Sequence, residues 1–486
     1  MPLTSPAAAP RIAALASVVS LGSIMSVLDV TVVNVAMHPL AEHFDVSLST
    51  IQWVASGYSL ALAAVIPVTA WAIHRFGTKR VYMTALLLFV LGSLLAGLAW
   101  SAESLVAFRV VQGLGGGMIT PTGMTIMMRA ATPRTMGRIM SIMGIPILIG
   151  PLAGPILGGW LVDSFSWRWM FTINVPVGIA AFLLAARILP RTQGAPGRRL
   201  DVPGLLMLSP GLAGFIYGVS TGAERRDVGS LDVLLPALLG AALVAGFVVR
   251  AQRSPHPLID LRLYRDRAFA AGAATLFLFV VGYFGSMLLL PMYFQIVRGE
   301  SVVASGLMGA PLALAAGVTM QVSGRLSDKV SPRLLVTTGI ALAALGVALL
   351  SLHLAEDAAY WRLAGSLAVM GTGVGLTMMP TMAAATRGLS PDDAPSASTA
   401  LQITSQAGAS IGIAFFSVML SANGTGGSAV PTRAEPFAET YLWTVALMLA
   451  ALLPALRLPR RRTADPVEPA GTAVRPPVED RTAAHV

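Results

Sequence analysis

The sequence predicts an all-α, polytopic membrane protein with fourteen transmembrane helices. Three observations lead to this class. Hydrophobic residues make up 55% of the 486 residues, charged residues make up only 12%, and the apolar residues gather in long runs. A soluble globular protein carries about 25% charged residues. This composition therefore argues against a cytosolic enzyme, because too few charges remain to cover a surface in water.

Each apolar run has about the length that a helix needs to cross a bilayer, roughly 20 residues. The first ten residues lack the basic segment and cleavage site of a signal peptide, so the first span is expected to stay in the protein. The predicted spans are 13–38, 50–73, 81–100, 104–127, 138–161, 168–189, 204–220, 232–249, 268–292, 302–323, 334–353, 361–385, 399–421 and 441–458.

Lysine and arginine predict the orientation, because cytoplasmic loops carry an excess of them. With an even number of spans, both termini lie on one side. The termini and loops of that side hold 26 of the 33 Lys and Arg residues, and the opposite loops hold six. The sequence therefore predicts a cell-membrane protein with both termini in the cytoplasm. The basic residues are spread over many loops. A nucleic-acid-binding protein would carry them together on one polar domain, so this distribution argues against nucleic-acid binding.

The spans divide into two groups of six with an insert between them. Residues 1–10 form the predicted cytoplasmic N-terminus, and 11–190 form the first six-helix bundle. Residues 191–265 form a linker with two extra transmembrane helices, and 266–460 form the second bundle. The segment 461–486 is rich in Pro, Ala, Glu and Arg, which predicts a disordered cytoplasmic tail.

One acid and one base fall deep inside predicted spans: Asp29 in the first and Arg109 in the fourth. A charge at the bilayer centre costs at least about 2.5 kcal/mol, so such residues are candidates for function. Burial favours a neutral acid, whereas a nearby arginine favours the charged form. Asp29 could therefore bind and release a proton as its surroundings change. Asn34 and Gln112 could complete a polar cluster with this pair. The alternative is a static buried ion pair, or an arginine that extends to the interface.

The fifth span combines small residues at four-residue spacing with prolines. Small residues let two helix backbones approach closely, and prolines kink a helix. The pattern predicts a packing and hinge element, with simple packing as the alternative. Its residues are Gly150, Pro151, Gly154, Pro155, Gly158 and Gly159.

Four motifs together resemble those of the major facilitator superfamily, specifically its fourteen-helix drug:proton antiporters of the EmrB/QacA type. They are residues 28–36 of the first span, 109–117 of the fourth, the fifth-span glycines and prolines, and 167–178 at the start of the sixth. The resemblance covers about residues 11–460. It implies the major facilitator fold, with two six-helix bundles plus two inserted helices and a substrate site between the bundles. It also implies a part in proton transfer for Arg109, and export rather than uptake.

The loop after the second span departs from the family's cytoplasmic motif. This chain has Ala70 and His74 where the family has Gly and Asp, and in the family that Asp helps to lock the two halves. The change weakens this gate or makes it sensitive to pH through His74, unless His74 is simply a solvated loop residue. A similar basic turn follows the tenth span. The predicted cytoplasmic gate comprises His74, Arg75, Gly77, Lys79, Gly324 and Asp328.

A cavity for drugs should be apolar and adaptable, and the 23 methionines suit it because methionine is flexible and polarizable. Packing against neighbours or lipid is the alternative for any one of them. The tenth span carries no acid, and by the resemblance this favours monocationic or neutral substrates. The candidate cavity residues are Met124, Met127, Phe284 and Met378, with Phe277, Tyr283 and Tyr293 as further aromatics of the ninth span.

These observations predict proton-coupled efflux of amphipathic small molecules such as drugs, antibiotics and lipophilic cations. The alternatives are an exporter of one endogenous metabolite, such as an antibiotic or siderophore, and a receptor or scaffold without transport. The expected partners are the substrate, the proton and the lipid bilayer, and the expected state is a monomer. No metal or cofactor is expected, because the sequence lacks metal-ligand spacing and phosphate-binding loops, and it contains no cysteine.

Overall fold

The fold is that of a computed structural model, which describes most of the chain. The described residues are 8–131, 136–192, 194, 200–225, 229–254, 257–327, 330–423 and 433–460. Within these ranges the regular secondary structure is helical and contains no strand.

Seventeen α-helices make up the described structure. A 3₁₀ turn at Leu261–Arg265 precedes α11, and a π-helical turn at Tyr293–Val297 follows it. The α-helices are α1 Ala8–Val35, α2 Met37–Phe44, α3 Leu48–Phe76, α4 Thr78–Gly97, α5 Ala102–Ala130, α6 Met136–Ser164, α7 Arg168–Thr172, α8 Asn174–Ile188, α9 Val202–Arg225, α10 Leu231–Arg253, α11 Arg267–Met292, α12 Val302–Met308, α13 Ala310–Leu326, α14 Pro332–His353, α15 Tyr360–Thr386, α16 Ala394–Asn423 and α17 Glu435–Ala455.

Every predicted span coincides with one of these helices or with a helix pair, α7 with α8 and α12 with α13. Twelve helical segments are long and apolar enough to cross a membrane, which confirms a polytopic helical protein. The other two spans correspond to α5 and α6, each 29 residues long. Crossing by these two helices, and with it the count of fourteen, stays a prediction.

Helices α1–α8 and α11–α17 form two packed groups, which we call the first and second halves. Helix α5 packs on α3 and α4 in the first half, and α15 packs on α13 and α14 in the second. The halves meet where α6 contacts α13 and α15, and where α16 contacts α3 and α5. Helix α9 touches both α3 and α16, with Trp53 and Tyr217 stacked at 5.7 Å between ring centroids. The inserted pair α9–α10 thus contacts both halves, while the exact domain boundaries remain a prediction.

The two halves touch at the end of the molecule where α5 ends and α16 begins. We call this the inner end, because the predicted cytoplasmic loops lie there. The hydroxyls of Thr125 and Ser398 hydrogen-bond at 2.7 Å, and Arg129 Nε donates to the Pro391 carbonyl at 3.2 Å. A side chain at position 144 would overlap Met320 of the second half. The inner end is therefore closed by direct contact.

Close helix packing depends on glycine at specific positions. A Cβ at Gly373 on α15 would overlap the Ala343 backbone of α14. Gly365 on the same helix is exposed, and a Cβ there would have no atom within 4 Å. Both glycines lie on α15, but only at Gly373 does a neighbouring helix occupy the position that a Cβ would take.

We expect Gly373→Ala to destabilise the protein by about 1–3 kcal/mol, the usual cost of overpacking a close contact. Gly365→Ala, the control, should leave the melting temperature in detergent unchanged or slightly higher, because alanine favours helix. Equal melting temperatures for the two variants would contradict the close α14–α15 packing.

Candidate functional site

Asp29 and Arg109 are both buried inside the first half and face each other. Asp29 lies on α1 and is 2% exposed, and Arg109 lies on α5 and is 1% exposed. Arg109 Nη1 donates to Asp29 Oδ2, which makes a direct ion pair. The structure thus brings together the two charges that the sequence places in separate spans.

Two amides bind the second oxygen of the Asp29 carboxylate. Gln112 Nε2 donates to Asp29 Oδ1 at 2.7 Å, and Asn174 Nδ2 donates to the same oxygen at 2.8 Å. Both amides also reach Ser93 Oγ, at 3.2 Å and 3.1 Å. Ser93 in turn donates to the Phe171 carbonyl at 2.9 Å. The carboxylate is therefore hydrogen-bonded on both oxygens.

Arg109 is fixed by contacts beyond the ion pair. Its Nε donates to the Val54 carbonyl at 3.2 Å, and its Nη1 donates to Gln112 Oε1 at 2.8 Å. The guanidinium lies over the Tyr58 ring, 4.2 Å from the ring centroid, which adds a cation–π attraction. The Tyr58 hydroxyl hydrogen-bonds Ser26 at 3.2 Å. Helices α1, α3, α4, α5 and α8 all contribute to this polar cluster.

The cluster is a buried acid whose charge is balanced by one base and by neutral donors. A proton added to the carboxylate would remove the charge that holds Arg109. Because opposite charges attract strongly away from water, that change would weaken contacts among several helices at once. The contacts of one buried carboxylate thus connect several helices of the first half.

Sequence reasoning found three of these residues and missed the others. Gln112 joins the cluster as predicted, while the side chain of Asn34 lies outside the described residues. Asn174 was missed, although it follows the break between α7 and α8 within the 167–178 motif. Nothing in the sequence distinguishes Ser93 and Tyr58 from other residues, because single hydroxyl side chains are common in membrane helices.

The fifth-span glycines let α6 approach α1, the helix that carries Asp29. A Cβ would overlap Val27 at Gly150 and Thr31 at Gly154, and at Gly158 it would lie 3.0 Å from the Val32 carbonyl oxygen. Thr31 donates its hydroxyl to the carbonyl of residue 150 at 3.0 Å. At Gly159 a Cβ would have no atom within 4 Å, so glycine is not needed there for the approach. The side chains of Pro151 and Pro155 lie outside the described residues.

Among the predicted gate residues of the first half, Lys79 contacts the end of α8. Lys79 Nζ donates to the carbonyls of Ala186 and Leu189, at 2.6 Å and 2.9 Å. Gly77 has a φ of +83°, a conformation that favours glycine. His74 and Arg75 are half-buried.

In the second half, Gly324 is buried and Asp328 lies outside the described residues. Both of these hydrogen bonds of Lys79 are made to residues of the first half. A role for these turns in gating remains a prediction.

Of the four predicted cavity residues, three are methionines buried near the inner end: Met124, Met127 and Met378. Phe284 is half-buried and packs edge-on against Tyr283, with 5.2 Å between ring centroids.

The structure contains a cavity of about 110 Å³ in the second half and a wider depression of about 560 Å³ on the first. None of the four predicted residues lines either of them, whereas Tyr283 lines the first.

Two packed groups of long apolar helices with a buried ion pair are the features of a polytopic helical membrane protein. Residues 19–413 match the Major Facilitator Superfamily. Multidrug resistance protein B homolog of Mycobacterium tuberculosis H37Rv is 44% identical over 408 residues, which cover 84% of this chain and 76% of that protein. Multidrug export protein EmrB of Escherichia coli K12 is 28% identical over 82% of this chain and 78% of its own length. The chain belongs to the Major Facilitator Superfamily.

Solved structures agree on the fold. The proton:xylose symporter XylE bound to 6-bromo-6-deoxy-D-glucose has a TM-score of 0.63 at 15% identity, covering 92% of this chain and 95% of that one. The human organic anion transporter MFSD10 has a TM-score of 0.62 at 15% identity, covering 91% and 99%. At this identity the likeness shows the fold alone, and it confirms the all-α major facilitator fold.

We expect Arg109→Ala to destabilise the protein by about 3–5 kcal/mol, because it leaves the Asp29 carboxylate buried without its counter-charge. Adding Asp29→Asn to this variant should recover part of the loss, since the neutral amide needs no counter-charge. The measurement is thermal unfolding in detergent. A double variant no more stable than Arg109→Ala would contradict this account of the pair.

Proposed function

We propose that this protein is a transporter, not an enzyme, that exports amphipathic small molecules from the cell in exchange for protons. Its relatives named for multidrug resistance and export support the substrate class. The observation that carries the proton coupling is the Asp29 carboxylate, buried with Arg109 and bound by Gln112 and Asn174. Asp29 is the proton carrier of the proposal, and Arg109 stabilises its charged form.

A chain of contacts links Asp29 to the surface between the halves. Thr31, two residues after Asp29, bonds the backbone of α6 at Gly150. Further along α6, position 144 packs directly on Met320 of the second half. Protonation of Asp29 changes the packing of α1 and thereby of α6. Coupling follows if the two arrangements of the halves differ in their affinity for the proton.

Alternating access requires that the halves separate at the inner end to admit a substrate from the cytoplasm. The contact between Thr125 and Ser398 must then break in each cycle. In the proposal both termini lie in the cytoplasm, the membrane is the cell membrane, and one chain is the functional unit. No cofactor takes part.

Proton exchange tests the role of Asp29. Inverted membrane vesicles loaded with a pH-sensitive dye should release protons when a lipophilic cation is added. Asp29→Asn should abolish both this release and drug efflux, because the amide cannot carry the proton. Asp357→Asn changes an acid in an exposed turn and should behave like wild type.

Full proton exchange in Asp29→Asn would exclude this residue as the carrier. Exchange driven by no compound of a broad drug panel, but by an extract of the host's own products, would identify a metabolite exporter. Exchange with neither would favour a receptor or scaffold without transport.

A cross-link tests the movement at the inner end. The chain has no cysteine, so Thr125→Cys/Ser398→Cys introduces a single pair into a cysteine-free background. The native hydroxyls lie 2.7 Å apart, which is close enough for a disulfide after substitution.

Oxidation of the double variant should stop efflux, and reduction should restore it, because the disulfide holds the inner end closed. Each single-cysteine variant, treated with the same oxidant, is the control and should keep its efflux rate. Undiminished efflux by a fully cross-linked protein would contradict opening at this contact.

A further inference from the structure

The second half contains a partly open cavity away from the Asp29 cluster. Its volume is about 110 Å³, and residues of α11–α15 and α17 line it. Tyr283 and Met287 come from α11, Leu312 from α13, Met370 from α15 and Tyr441 from α17. These residues lie towards the end opposite the inner end.

The lining of this cavity is apolar and carries no charged side chain. Its two serines make contacts within the protein. Ser286 donates to the Tyr283 carbonyl at 2.7 Å, and Ser305 lies 3.1 Å from Gln295 Nε2. An ion placed here would lose its hydration without gaining a counter-charge, which is costly. The cavity therefore suits an uncharged group.

Irregular backbone borders the cavity on two sides. Helix α11 ends just after Pro291 in the π-helical turn, and α12 breaks from α13 at Gly309. Pro291 and Gly309 both line the space. Broken helices in transporters and π turns in general are frequent at binding sites, because they leave room that a regular helix would fill.

Glycine keeps the cavity empty at its α12 side. A Cβ at Gly306 would have no atom within 4 Å, and at Gly309 it would meet only the Gly306 carbonyl oxygen at 3.2 Å. Gly306 lines the cavity, so a larger side chain at this position would lie beside the cavity space. Packing against a neighbour does not require glycine there.

We propose that this cavity binds an uncharged ring of the exported molecule, aromatic or saturated, of about six carbons. This inference rests on the proposed export function and adds a substrate feature to it. The size agrees with the volume, since an apolar cavity of about 150 Å³ in another protein binds benzene. The Tyr283 and Tyr441 rings and the Met287 and Met370 thioethers provide the contacts that rings favour.

The test fills the cavity without touching the polar cluster. Gly306→Leu adds a large side chain at a residue that lines the cavity, and is expected to fill it. Gly365→Leu adds the same side chain at an exposed position of α15, where a Cβ also meets no atom within 4 Å. Equilibrium binding of tetraphenylphosphonium is measured on purified protein in nanodiscs, with no gradient. Gly306→Leu should bind about ten- to hundredfold more weakly, the loss of one buried ring, and Gly365→Leu should match wild type.

A smaller substitution at the same position distinguishes filling of the cavity from misfolding of the Gly306→Leu variant. Gly306→Ala fills less of the cavity and should weaken tetraphenylphosphonium binding by a smaller factor. Unchanged binding in both Gly306 variants, equal weakening in Gly365→Leu, or no binding by wild type would each overturn the proposal.

Proton exchange in vesicles separates this inference from the export function. Exchange without any effect of Gly306→Leu on binding would leave export standing and remove the ring site. Weaker binding in Gly306→Leu, in a protein that moves no protons, would keep the ring site and remove export.

Discussion

The structure of the first half depends on one constraint, the burial of the Asp29 carboxylate away from water. An ionised acid in such surroundings is tolerated only when a counter-charge and hydrogen-bond donors surround it. Arg109, Gln112 and Asn174 supply them from α5 and α8, and Ser93 on α4 positions the two amides. The relative placement of these helices and α1 therefore depends on the contacts of one buried carboxylate.

The glycines of α6 allow close contacts between α6 and two other helices, α1 and α13. At Gly150 and Gly154, where α6 has no side chain, α1 approaches the α6 backbone. At Gly144, Met320 of the second half approaches the α6 backbone. Contacts this close resist gradual deformation, because a small shift produces either a clash or a gap. Two packed halves joined in this way are suited to switching between arrangements rather than to bending.

The two halves differ in chemistry. Charged and amide groups gather in the first half around Asp29, whereas the cavity of the second half is lined by tyrosine, methionine and leucine. Both regions adjoin a helix break, between α7 and α8 in one case and between α12 and α13 in the other. The ionic cluster and the apolar cavity thus lie in different halves, and each keeps surroundings of its own polarity.

The sequence alone determined the membrane class and the positions of the helices, because apolar length is a property of local composition. It also singled out Asp29 and Arg109 as charges inside the spans, since a charge there is costly. It could not identify Asn174 or Ser93, and among its candidate cavity residues it could not separate Tyr283, which lines the cavity of the second half, from Met124, which does not. Asn174 lies 145 residues from Asp29, and Gln112 lies 83 residues from it. Only the tertiary structure decided which of many similar polar and apolar side chains meet, because that depends on how separate helices rotate and pack against one another.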